Sequence, residues 1–138
     1  MGYHLQIVRG MGSCADELTP IRADEWLGLV HDDCELRLVR ADLALYLRLL
    51  WHFGGPCGPH FAIWSGPSKY RFPWLDWSEP GHIYSKNRDG PLIDKMVQIA
   101  ARLGAKVYGD LDEEYLGAGQ VVHPPGHDVT RSCRPAGD

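Results

Sequence analysis

The chain opens on a period of two. In Tyr3-His4-Leu5-Gln6-Ile7-Val8-Arg9, the residues Tyr3, Leu5 and Ile7 share one face, which predicts a half-buried strand. Gly10-Met11-Gly12-Ser13 breaks it. A first helix follows, starting either at Thr19-Pro20 or nearer Ala23. Asp24 and Glu25 suit its first turn, where the dipole favours negative charge, and Trp26, Leu27 and Val30 form its apolar face. It should end near His31-Asp32-Asp33 and be held by packing more than by propensity. Leu36 and Leu38 alternate with Glu35 and Arg37 and predict a strand near 36–40. The next stretch, 43–52, fits two patterns. Leu43, Leu45 and Leu47 alternate as in a strand, while Leu43, Leu47 and Leu50 make a helical stripe. Its state stays open on pattern alone.

Gly54–Pro59 reads as a loop, Phe61–Trp64 as a compact strand, and Tyr70–Trp74 as an extended segment that Pro73 confines to an edge or a strand end. Glu79-Pro80-Gly81 is a turn, and His82–Lys86 another strand. The clearest periodicity comes next. Leu92, Met96, Ile99 and Leu103 fall at i, i+4, i+7 and i+11 with Ile93, Val97 and Ala100 beside them, and Lys95, Gln98 and Arg102 lie off that stripe. This predicts a helix at about 91–103, closed by Gly104. Lys106–Gly109 is a short strand leading into acids. Strand, helix and strand make a split or direct βαβ unit with a right-handed crossover. The expected fold is a single α+β domain over 1–116, a mostly antiparallel sheet with two helices, followed by a mobile Pro/Gly-rich tail over 117–138.

Composition sets bounds on function. Of 138 residues, 44% are hydrophobic and 23% charged, enough to bury a core. No apolar run reaches the roughly 18–20 residues of a membrane span, and the N-terminus lacks a basic region followed by an apolar stretch. A cytoplasmic protein with no membrane partner is the expectation. The four cysteines contain no C-x-x-C pair, and without a secretory signal they should be reduced thiols. The net charge of −4 argues against a nucleic-acid partner.

Candidate chemistry is sparse. His52, Cys57 and His60 are the tightest group with metal-ligand spacing, and three ligands would leave an open position as in catalytic zinc sites. The group has no fourth member and matches no metalloenzyme signature, so no metal and no cofactor are expected. His123 and His127 form a weaker pair. Asp110, Asp112 and Glu114 alternate, which on a strand would place their carboxylates on one face, but the glycine and glutamate of a calcium loop are missing. No serine stands in a nucleophile elbow, and no phosphate loop or dinucleotide fingerprint is present. No catalytic residue is assigned, and the non-enzymatic reading is favoured over a small metal-dependent enzyme or hydrolase.

The aromatic content is more telling. Trp64, Tyr70, Phe72, Trp74 and Trp77 cluster among prolines, more than a core needs, and exposed Trp and Tyr are typical interface anchors. A partner surface is expected from Trp74, Asp76, Trp77 and Glu79, assisted by Asp110, Asp112 and Glu114, with the carboxylates steering a basic partner.

Phe61-Ala62-Ile63-Trp64-Ser65-Gly66, Phe72-Pro73-Trp74, His82–Asn87, Asp94–Ala100 and Leu103–Asp110 together resemble a family of small uncharacterised bacterial proteins, and Asp24-Glu25-Trp26 is similar to that family's first helix. The resemblance supplies no catalytic residues. It implies similarity to immunity or accessory proteins of bacterial toxin systems, and with the absent catalytic motifs it points to a non-enzymatic protein-binding domain, an immunity protein that occludes a cognate toxin; the expected acidic surface adds that the toxin domain is basic.

Overall fold

A computed structural model describes residues 4–9, 20–87, 89–110, 113–117 and 119–122. Eight strands form one antiparallel sheet in the order β2-β3-β4-β5-β1-β6-β7-β8. They are β1 (Leu5–Val8), β2 (Leu36–Leu38), β3 (Phe61–Trp64), β4 (Trp74–Ser78), β5 (His82–Ser85), β6 (Lys106–Gly109), β7 (Glu114–Gly117) and β8 (Gln120–Val122). Among the described residues three α-helices pack on it: α1 (Ala23–Asp32), α2 (Leu43–Phe53) and α3 (Gly90–Leu103). The α+β class and the antiparallel sheet are as expected. The helix count is corrected from two to three, because the stretch 43–52 is helical.

The sheet has a covered face and a partly open one. Leu5, Ile7, Ala62, Trp64, Leu75, Ile83 and Val107 point to the side where α1 and α3 bring Trp26, Leu29, Val30, Leu92, Met96 and Ile99, and these make the main core. α3 connects β5 to β6, which both flank β1, so the unit is the split form of βαβ. The α3 stripe works as the sequence implies, with Asp89 capping Leu92 N at 3.3 Å and Gly104 closing the helix at φ +65. Off-stripe Lys95 is nevertheless buried. Its Nζ donates to Asp33 Oδ2 and Glu35 Oε1, both at 2.7 Å, tying α3 to the turn after α1. Arg9 clamps the other end, donating to both carboxylate oxygens of Glu25 and to the Leu103 carbonyl at the end of α3.

On the opposite face α2 brings Leu49 against Ile63, together with Val39 and Cys57, in a second, smaller core. α2 follows β2 through a single 3-10 turn, Val39–Ala41, where the sequence suggests a continuing strand. The extended segment expected at 70–74 is a bend up to Phe72, and Pro73 directly precedes β4, an internal strand. The sheet also runs past the expected domain boundary at 116, since β8 pairs with β7 through Tyr115 and Val121. The tail from 123 onward, with His123 and His127, lies outside the described residues, as does the expected helix start at Thr19.

Candidate functional site

The site is built on α2. Asp42 caps it, its carboxylate accepting from Leu45 N at 3.1 Å, and Gly54 ends it in the left-handed region at φ +76. Between those signals the sequence LALYLRLLWHF is apolar almost all round. Leu45, Tyr46 and Leu49 turn to the sheet and belong to the second core. Leu43, Leu47 and Trp51, one turn apart, turn away and are 70%, 54% and 91% exposed. A helix apolar on all sides is normally buried on all sides. Here the outward ridge has no cover among the described residues, and beside its start lies a cleft of about 560 Å³ between α1, β2 and Leu43.

The charge around this ridge opposes that of the whole chain. From Leu36 to Phe72 there are five bases, Arg37, Arg40, Arg48, Lys69 and Arg71, and one acid, Asp42. Three of the arginines are held by aromatic contact, and two of them share one ring: Arg48 and Arg71 lie 5.4 and 5.2 Å from the Phe72 ring centre. Arg40 packs over Tyr46 and donates to the Cys57 carbonyl. Arg37 is paired with Asp42 at the start of α2, 3.5 Å away, and Arg48 lies on the helix itself.

Beyond α2 the same face carries a polar row across the sheet. Strand register aligns Phe61, Asp76, Tyr84, Gln6, Tyr108 and Glu114 in sequence from β3 to β7. Where the row meets α2, a pocket of about 290 Å³ is lined by Phe53, Pro56, Cys57, Phe61, Trp74 and Asp76. Burial raises the carboxyl pKa of Asp76 above its ordinary value, against the field of His60 and a hydrogen bond from Tyr84. Burial and the nearby Asp76 charge likewise push the Cys57 thiol up, and burial lowers the His82 imidazole, whose Nδ1 sits 3.0 Å from Gln6 Oε1. A carboxylate raised by desolvation inside an aromatic pocket is a recurrent mark of functional sites.

The residues expected to bind a partner do not form one surface. Trp74 and Asp76 share the α2 side, with Trp74 stacked on Phe61 at 5.2 Å. Trp77 packs against the main core on the other side, its Nε1 donating to the Ile21 carbonyl at 2.8 Å. Glu79 is exposed in the turn after β4. Asp110 is exposed beside His4, and Glu114 belongs to the polar row, 4.0 Å from Lys106. Asp112 lies outside the described residues. The possible ligands His52, Cys57 and His60 are also separate in use: His52 packs against Phe53 and Phe72, Cys57 lines the pocket, and His60 meets Trp77. Among the described residues no three His, Cys, Asp or Glu side chains converge as metal ligands.

Sequence reasoning missed Trp51, the exposed tryptophan. Its signal was present as Asp42 and Gly54 framing an apolar segment. No family model, no curated protein and no solved structure matches the chain. Among the described residues no helix is long and apolar enough to cross a membrane.

Proposed function

We propose that the chain is a non-enzymatic protein-binding domain that docks a partner on the outward ridge of α2. The observation that carries this reading is Trp51, 91% exposed in line with Leu43 and Leu47 on a helix whose other side is already packed. Exposed tryptophan and aliphatic side chains in one ridge are the composition of interface hot spots. Five bases against one acid in the surrounding segment favour a partner with an acidic rim. A second copy of this chain would set arginine against arginine, which disfavours self-association. The acidic surface expected from sequence would need Trp77 outward, whereas Trp77 belongs to the main core. Occlusion of a bacterial toxin rests on the family resemblance, and on this reading the toxin would meet the α2 segment through an acidic surface rather than the basic one expected from sequence. A reducing, cytoplasmic setting agrees with Cys34 and Cys57 as separate free thiols.

The test is co-expression with the product of the adjacent gene and affinity purification of the pair. Wild type should retain the partner. Leu47→Glu and Trp51→Ala should fold normally by circular dichroism and lose affinity by about thirtyfold, the scale of a hot-spot tryptophan. Equal retention by wild type and both variants refutes the α2 ridge. A concentration-dependent dimer of the wild type that Leu47→Glu dissolves would assign the ridge to a second copy instead.

A further inference from the structure

The pocket at the foot of α2 is chemically distinct from the ridge above it. Its walls are Phe53, Phe61 and Trp74, and its polar groups include one carboxylate, Asp76. Tyr84, directly opposite on β5, favours the ionised form of that acid without neutralising it. Among the described residues no lysine or arginine forms an ion pair with Asp76. The base whose field reaches it is His60, whose ring is engaged edge-on with Trp77 at 4.9 Å.

We propose that this pocket binds a small organic cation, its ammonium group on Asp76 and its carbon body against Phe53, Phe61 and Trp74. Aromatic rings beside a carboxylate are the arrangement that recognises substituted ammonium groups, because ring quadrupole and anion both attract the charge while the rings cover the alkyl substituents. An anion would meet Asp76 directly, and a neutral apolar ligand would leave a partly buried carboxylate without a counter-charge. The volume of about 290 Å³ sits at the small end of ligand pockets, which limits the ligand to a single head group and a short chain. A free amine and a lysine or methylated lysine side chain presented by another protein share this chemistry.

Calorimetric titration of the full chain with choline and with N-acetyl-trimethyl-lysine amide tests it. Potassium chloride serves as the ionic-strength control and 3,3-dimethylbutan-1-ol as the uncharged isostere of choline. Saturable binding of at least one cation is expected. The alcohol should bind at least about tenfold more weakly, and Asp76→Asn should weaken the cation by a similar factor while leaving the circular dichroism unchanged. Phe61→Leu, which keeps the apolar contact and removes a ring, should also weaken it. Choline alone binding points to a free amine, and the lysine derivative alone to a presented side chain. No saturable binding of either cation overturns the proposal, as does equal binding by Asp76→Asn or equal binding of the alcohol.

Discussion

Replacing Lys95 by Met removes one charge from the most buried ion pairing in the described structure and keeps most of the aliphatic stem. Lys95 is 7% exposed and Asp33 10%. Deleting one partner of a fully buried pair costs about 3–5 kcal/mol. Two remnants soften that here. Arg102 stays 3.6 Å from Asp33, and Glu35, half exposed, still accepts from Trp64 Nε1 at 3.1 Å. The expected loss is therefore about 2–3 kcal/mol, nearly all of it from Asp33. For a chain of this size that lowers Tm by about 6–12 °C.

The pH dependence separates this cause from simple loss of packing. In the folded protein burial would raise the Asp33 carboxyl, but the Lys95 hydrogen bond and charge outweigh it, so its pKa is lowered. Glu35 is lowered by the hydrogen bonds from Lys95 and Trp64. Groups with lowered folded pKa stabilise above their unfolded values, about 4, and lose that contribution as pH falls through the folded ones. Burial pulls Lys95 down, but its hydrogen bonds to Asp33 and Glu35 leave its pKa raised. Its contribution is complete below about 10.4 and lost as pH rises through the folded value. In Lys95→Met, Asp33 keeps its burial without its amine, so that variant gains stability as acid protonates the carboxyl. Urea melts from pH 3 to 8 should show a full gap near neutrality that narrows below about pH 5. A gap that is constant with pH, or below about 0.5 kcal/mol at pH 7, refutes the reasoning.

Asp76→Asn should stabilise the protein at pH 7 by about 1 kcal/mol, since it removes a charge that burial disfavours. The raised folded pKa means that the wild type recovers this deficit as pH falls through it, so melts at pH 7 and pH 4 should differ, and a destabilised variant at pH 7 contradicts the assignment. Gly81→Ala should cost about 2–3 kcal/mol, because φ is +141 and the added Cβ would stand 2.6 Å from the Ile21 carbonyl oxygen. That oxygen also accepts from Trp77 Nε1, so a shift in tryptophan fluorescence should accompany the lower Tm. Met96→Asp or Ile99→Asp should abolish soluble folding, as both side chains are buried to within 1%, and a normal thermal melt for either would misplace the core face.

The elements legible in the sequence are those where independent signals agree. α3 has a stripe, a capping Asp89, an early Pro91 and a closing Gly104, and its bounds are read nearly to the residue. Periodicity alone leaves α2 open, and its ends decide it: Leu43, Leu45 and Leu47 alternate, yet Asp42 and Gly54 frame a helix and nothing frames a strand. The opposite facing of Trp74 and Trp77 follows from period two, since residues three apart on one strand point to opposite sides. Burial of Lys95 has no local signal, because its partners Asp33 and Glu35 come from another element far along the chain. β7 and β8 are short strands with mixed faces, and their pairing depends on neighbours that single segments do not reveal.

The features that stabilise this fold and those on which the proposed binding rests lie apart. The main core, the Lys95 pairs and the Arg9–Glu25 clamp lie on the side of α1 and α3, where local pattern, packing and hydrogen bonding agree. The disagreements gather at the α2 end of the other face: an apolar ridge left open to water, and a carboxyl raised by its aromatic pocket. Neither feature helps the sheet form. Trp51 at 91% exposure gives almost no burial to the folded chain, so Trp51→Glu should leave Tm unchanged to within the effect of an ordinary surface substitution, about 0.5 kcal/mol. On the proposed reading, Trp51 breaks the pattern of a soluble surface because it serves a contact with another molecule, and an unchanged Tm in Trp51→Glu together with lost partner retention is the result that reading requires.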